Sequence, residues 1–186
     1  SAGGVPKRPI PRVQVTLEGL AGDQQNDRNH HGGPERAVCL FALSLIHQLR
    51  AEGHPIAPGT CGENLTLDGL STEQWGTLRP GDCLHFEAGV ALQIASYCAP
   101  CSTIRESFKD LDSRRIKHEL RPGWSRLYAR VLRVGTLSVG EALRIIGRPD
   151  GLHGSDGLPE QDEGDHPGPQ RLGGGHDAGP LGADAA

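Results

Sequence analysis

The chain has 186 residues, enough for one domain with a true core, or one domain plus a tail. Hydrophobic residues make up 35% and aromatics only 4%, so the core must rest on Leu, Val, Ile and Ala. The formal net charge of −4 argues against a general nucleic-acid or membrane-surface protein.

Lysine occurs only as Lys7, Lys109 and Lys117, so nearly all positive charge is arginine. Arginine keeps its proton and grips phosphate or carboxylate with a planar fork, which points to fixed anion contacts rather than Schiff-base chemistry. High-GC codon usage produces the same bias. No apolar run approaches the roughly 20 residues that span a membrane, and no signal peptide is read. Five cysteines at irregular spacings do not resemble a secreted disulfide framework, so a reducing cytoplasm is the expected compartment. Cys39 and Cys83 lie inside apolar segments and read as packing residues.

Residues 1–12 form an extended entry, after which Val13-Gln14-Val15-Thr16-Leu17 alternates as a strand. A long polar loop, residues 18–29, leads into His30-His31-Gly32-Gly33, and patternless loops of this length tend to be functional or disordered. Here its position favours function. Arg36 to Phe41 reads as a buried strand. Ala42, Leu45, Ile46 and Leu49 then fall at helical spacing, predicting a helix that ends before Gly53 with His47 on its exposed side. Pro58-Gly59-Thr60-Cys61-Gly62 turns into a short strand, Glu63 to Leu67. Leu84 and Phe86 alternate with polar neighbours, and Ala88-Gly89 closes a hairpin to a strand over 90–96. A short helix is expected from Cys101 through Phe108. Asp112 is expected to cap another, ending near Arg121-Pro122-Gly123. Residues 125–134 and 141–146 read as two further strands. The pattern is a β-rich domain with short helices, closer to a barrel than to alternating βαβ units.

After Ile146 the composition shifts to Gly, Asp, Pro, Ala and His with three leucines. Such a segment buries too little surface to offset its ordering entropy. The organisation expected is therefore a domain over 1–146 and a disordered tail over 147–186, in which His153, His166 and His176 are too far apart to suggest a metal site.

Three stretches carry candidate chemistry. Tyr97-Cys98-Ala99-Pro100-Cys101-Ser102 ends a strand at Ser96 and presents Cys101 on a proline-stiffened turn, as a nucleophile or a metal ligand. A helix starting at Ser102 would favour the thiolate. Cys98 adds a CxxC spacing, but there is no second CxxC for zinc and no βαβ context for a thioredoxin-like pair. His31-Gly32-Gly33 lets the backbone approach a ligand, with His31 able to donate a hydrogen bond, move a proton or bind metal. Arg36 would reach an anion above the glycines. Asp27 and His31 imitate two ligands of a non-haem metal site with no third. Glu63 and Asn64 place polar groups at the start of a strand, suited to a heterocycle's edge. Ordinary turns and surface ion pairs account for the last two stretches equally well.

In order, Gly22-Asp23-Gln24, His31-Gly32-Gly33-Pro34 with Arg36-Ala37-Val38, and Gly62-Glu63-Asn64-Leu65-Thr66 occur; Pro80-Gly81-Asp82, Ala99-Pro100-Cys101 and Pro122-Gly123-Trp124-Ser125-Arg126 follow. This set resembles the MOSC family, the molybdenum cofactor sulfurase C-terminal domain, in its stand-alone bacterial form, over residues 5–146. The resemblance implies a mainly β, barrel-like fold of the pyruvate-kinase β-barrel type, and a pocket for the pterin-based molybdenum cofactor (molybdopterin). It implies Cys101 as metal ligand or sulfur carrier, His31 and Arg36 as catalytic groups, and Lys7, Asp27, Gly32, Gly33, Glu63, Asn64 and Thr66 as cofactor contacts, with Asp23 a weaker candidate. Soft thiolate ligation suits a metal already held by a dithiolene.

Relatives also resemble enzymes that reduce N-hydroxylated bases and amidoximes. The expected partners are a small-molecule substrate and separate electron-donor proteins, since no flavin, haem or iron–sulfur motif is read; nucleic acid and membrane are not expected. The alternative is a sulfur-carrier or C–S-processing protein using Cys101 as persulfide carrier or nucleophile, and a third reading is a non-catalytic cofactor carrier. Pyridoxal phosphate is not expected with three lysines, none in a suitable motif. The chain departs from many relatives in having Cys98 where they carry an arginine, so Arg79 or Arg105 is expected to compensate.

Overall fold

A computed structural model of the chain describes residues 4–23 and 33–147. The strands are β1 (Arg12–Thr16), β2 (Gly19–Leu20), β3 (Val38–Ala42), β4 (Leu65–Leu67), β5 (Cys83–Phe86), β6 (Ala91–Cys98), β7 (Arg126–Arg133), β8 (Gly135–Ser138) and β9 (Leu143–Ile146). Two α-helices accompany them, α1 (Leu43–Ala51) and α2 (Thr72–Thr77). One sheet has the order β2-β1-β8 and the other β4-β3-β7-β6-β5-β9, a curled half-barrel. The fold is mainly β with few helices, as the sequence leads one to expect.

The core follows from the apolar patterns. All five residues of β3 are buried, which is why this strand reads as a continuous hydrophobic run. It pairs in parallel with β4 and antiparallel with β7. Leu45, Ile46 and Leu49 anchor α1 on that core, and His47 is exposed as expected. Between Ile94 and Ser96 the pairing of β6 with β7 shifts register, and such irregularities bend and twist a strand. The bend lies just before the end of β6, where Cys98 and Cys101 follow.

Trp75 on α2 links two parts of the core. Its ring meets Phe41 edge-on, 6.4 Å between centroids, and its indole N–H donates to the Ser125 carbonyl at 3.1 Å. Nearby, Gly123 has φ +83° and its α-carbon faces Gly76 so closely that a methyl group would meet the Gly76 Cα at 2.8 Å. Trp75→Phe keeps most of the packing and removes the donor from a buried carbonyl. A loss of about 1–3 kcal/mol is expected in urea unfolding, with an unchanged m-value.

Several boundaries differ from the sequence reading. The sixth strand continues past Ser96 to Cys98, because Cys98 pairs with Arg126 and Tyr97 with Leu127. The helix expected after Cys101 is a six-residue 3-10 segment, Ser102–Ser107. Asp112 does cap, accepting from the Arg114 amide, but what it starts is only the 3-10 turn Ser113–Ile116. The two strands expected around Gly135 are three, β7, β8 and β9. Cys83 is half-buried. The expected tail over 147–186 lies outside the described residues except Gly147. No described helix is long and apolar enough to cross a membrane.

Candidate functional site

Arg126 opens β7 and is only 3% exposed, although it carries a full charge. Its guanidinium donates from Nη1 to the Cys61 carbonyl at 2.6 Å and from Nη2 to the Ala99 carbonyl at 3.2 Å. One side chain therefore fastens the turn at 59–64 to the turn at 98–101, the two stretches the sequence reading grouped around Cys101. Burial opposes the charge, but the sulfurs of Cys98, Cys39 and Cys61 more than offset it, so the group is held more firmly protonated than usual. Arg79 and Arg105, expected to compensate for the absent arginine at position 98, are both exposed; the guanidinium directly opposite Cys98 in the ladder is that of Arg126.

The 59–64 turn is built by close backbone approaches. The Gly59 carbonyl accepts from the Lys7 amide at 2.9 Å. Gly59 has φ +82°, and any side chain there would fall on the Lys7 carbonyl oxygen. Glu63 is 2% exposed; its Oε1 accepts from the Gly59 amide at 2.6 Å and from the Thr66 hydroxyl at 3.2 Å. Thr66 thus orients a carboxylate. Asn64 clamps β3: its Oδ1 accepts from the Cys39 amide at 2.9 Å while its own amide donates to the Cys39 carbonyl at 2.7 Å. Its Nδ2 donates to Asp23 Oδ2 at 2.6 Å, and Lys7 forms an ion pair with the same carboxylate. The β1–β2 hairpin delivers Asp23 to this point. Asn64 is left with one amide hydrogen and one lone pair for a ligand.

Cys101 is half-buried, immediately before the 3-10 segment, and its carbonyl accepts from Ile104 at 3.4 Å. That segment is short, so the helix-dipole argument for its thiolate does not carry over. Arg36 lies exposed on the 3-10 turn Pro34–Arg36, with its guanidinium carbon 5.7 Å from the Tyr128 ring centre. Gly33 precedes it with φ +81°. Asp27, His31 and Gly32 lie outside the described residues.

Cys39, Cys98 and Tyr128 form a small cluster separate from the main core. The Cys98 thiol is shifted down by the hydrogen bond from Cys39, against the opposing effect of burial, with Arg126, Tyr128 and Arg36 adding to the lowering. The hydrogen bond to Cys98 and burial push the Cys39 thiol well up. Cys61, by contrast, is pushed up to about 12, chiefly by burial, and is an inert packing thiol. The sequence reading gave Cys39 a packing role and did not single out Arg126. The signal available was the arginine in Pro122-Gly123-Trp124-Ser125-Arg126, but nothing in a sequence distinguishes a buried guanidinium from an exposed one.

Among the described residues no three His, Cys, Asp or Glu side chains converge to hold a bare metal ion. The donor set is instead a single half-buried thiol, an exposed guanidinium on Arg36, and two buried polar atoms without a hydrogen-bond partner among the described residues, Glu63 Oε2 and Arg126 Nε. That set fits a group such as the molybdenum cofactor, which brings its own sulfur ligands, negative charge and a heterocycle with N–H edges. A surface hollow of about 460 Å³ over β5 and β9, lined by His85, Phe86 and Arg144 among others, shares no residue with this region.

A family model described as the MOSC domain matches residues 27–144. The chain is 31% identical over 147 residues to an uncharacterized protein, YflK, of Bacillus subtilis (strain 168), covering 78% of this chain and 64% of that one. It is 29% identical over 151 residues to protein YiiM of Escherichia coli (strain K12), covering 75% of this chain and 64% of the relative. A Gibberella moniliformis protein named "Reductase" is 30% identical over 141 residues, but the match spans only 24% of its length. The chain thus spans less than two thirds of these relatives. Among solved structures, YiiM from Geobacillus stearothermophilus superposes with a TM-score of 0.59 at 25% identity, covering 80% of this chain and 67% of that one. The YuaD protein of Bacillus subtilis superposes at 0.60 with 19% identity, covering 73% and 85%, a likeness of fold alone.

Proposed function

The chain belongs to the MOSC domain family, and from that premise we propose that it is a molybdenum-cofactor-dependent reductase of N-hydroxylated bases, with Cys101 ligating the metal. The observation that carries this reading is the Arg126 bridge, which ties the turn that leads into the half-buried Cys101 to the turn that carries Glu63, whose second carboxylate oxygen has no partner among the described residues. When bound, the cofactor supplies the metal at which a substrate N–O bond is broken with two electrons and two protons, giving the base and water. The relative named "Reductase" supports a redox reading.

This chain's own residues bind and orient. Glu63 Oε2 accepts from a heterocycle's N–H edge, with Oε1 fixed by Gly59 and Thr66. Arg36 meets anionic charge from the exposed side, while Asn64 offers its remaining donor and acceptor. Lys7 acts at one remove, holding Asp23 against Asn64. The same reading assigns Gly33, Gly32 and Asp27 to the cofactor and gives His31 the proton delivered to the leaving oxygen. Electrons come from separate donor proteins in a reducing cytoplasm.

Elemental analysis and a turnover assay test this together. Protein purified from a molybdenum-replete host should carry stoichiometric molybdenum and reduce an N-hydroxylated base when supplied with a reduced donor protein. Cys101→Ser should lower both metal content and turnover by more than about 100-fold while leaving the circular dichroism spectrum unchanged. Metal-free protein bearing a persulfide on Cys101 would replace this reading with sulfur transfer. Bound molybdenum without turnover would leave a cofactor carrier.

A further inference from the structure

We propose that His54 is a proton-operated latch on the strap of 3-10 turns that follows Cys101. Uncharged, it holds the strap's middle turn against the end of α1; on taking up a proton it releases that turn. The strap runs through Ser102–Ser107, Lys109–Leu111 and Ser113–Ile116. Three polar contacts tie it to the rest of the domain. At one end the Ser107 hydroxyl donates to the Thr60 carbonyl at 2.9 Å. At the other, Arg115 forks onto Glu52, with Nε to Oε2 at 2.8 Å and Nη2 to Oε1 at 2.5 Å. Between them the Lys109 amide donates to His54 Nδ1 at 2.9 Å.

Histidine is the side chain whose charge ordinarily changes between about pH 5 and 8, and of these three ties only the middle one ends on a histidine. A ring nitrogen that accepts a hydrogen bond carries no proton, so the single proton of His54 sits on Nε2, which lies 3.7 Å from Glu52 Oε2. A second proton can go only to Nδ1, where it would point at the Lys109 N–H. Two donors then face each other, and the tie becomes a repulsion. The groups around the ring are of both signs. From the C-cap of α1 the Glu52 carboxylate favours the imidazolium, while Arg115 neutralises part of that carboxylate's charge. From the strap, Phe108 presents its ring with centroids 5.5 Å apart, and Lys109 and Asp110 add one exposed charge of each sign.

The second observation is that the turn is held in a conformation it would leave if freed. Asp110 and Leu111 stand at φ +58° and +56°. Left-handed backbone is unfavourable for any residue but glycine, and especially for one as bulky as leucine. Leu111 is 53% exposed, so burial does not hold it there. Strain of this kind persists only where surrounding contacts impose it, and the Lys109 amide lies immediately before the strained pair. Protonation at one nitrogen therefore biases a turn with two arrangements. The latch does not depend on what Cys101 binds.

The test is amide hydrogen exchange of the full chain by NMR, read as protection factors so that the intrinsic pH dependence of exchange cancels. As pH falls from about 7.5 to 5.5, the amides of Lys109 and Leu111 should lose about tenfold in protection, in step with the protonation of His54 read from its ring nitrogen shifts. The amide of Ile94, which donates to the Asp82 carbonyl at 2.9 Å, should keep its protection. Constant protection of Lys109 while the His54 ring titrates overturns the proposal. So does a neutral ring with its proton on Nδ1, or a loss that Ile94 shares. Asparagine places an uncharged acceptor where Nδ1 stands, so His54→Asn should keep Lys109 protected from neutral to acid pH; a variant that loses protection with acid as the parent does also overturns it.

Discussion

Arg126→Met should lower stability by about 3–5 kcal/mol and, on the proposed function, abolish molybdenum loading. Methionine fills most of the same volume, so the loss comes from polarity. The carbonyls of Cys61 and Ala99 each lose a buried donor, and the sulfur cluster loses its positive neighbour. Arg126→Lys should recover little, because an ammonium is a compact point charge that does not reproduce the planar fork spanning two turns. Urea unfolding gives the first effect and molybdenum content of the folded fraction the second. A variant of near-native stability that retains its metal would show that the bridge between the two turns is incidental.

Gly59→Ala should be almost as damaging, at about 2–3 kcal/mol, for a different reason. Alanine there would have to adopt a left-handed conformation and would strike the Lys7 carbonyl. The chain must retreat at one side or the other. If the entry segment lifts, Lys7 leaves Asp23, Asp23 loosens from Asn64, and the Asn64 clamp on Cys39 loses its outer support. Limited proteolysis should then cut the entry segment faster than the rest of the domain. Proteolysis unchanged from the parent would place the strain elsewhere.

The elements with strong periodicity were legible in the sequence. Ala42, Leu45, Ile46 and Leu49 announced α1, and the alternation around Leu84 announced the β5–β6 hairpin. Helix α2 was missed because six residues give no period, although Ser71 and Gln74 form a capping box whose spacing was readable. The helices expected beyond Cys101 collapsed into 3-10 turns; the chain there bends through Asp110 and Leu111, both at positive φ, which no hydrophobic pattern reports. At the site, glycines and polar residues marked the right turns, but not their division of labour. Asn64 looked like a ligand contact and spends most of its amide on Cys39 and Asp23. Cys39 reads as a packing residue and is buried, but in a cluster with Cys98 and Tyr128 that depends on sheet order rather than on local spacing.

The guanidinium bridge also sets an order of events during synthesis. Arg126 follows Cys61 by 65 positions and Ala99 by 27, so both turns are synthesised before the residue that ties them. Closing loops of that length is entropically unfavourable until a strand docks to reward it. The join between the two turns is therefore a late feature of folding, and a chain ending short of β7 has the two turns without the residue that fastens them.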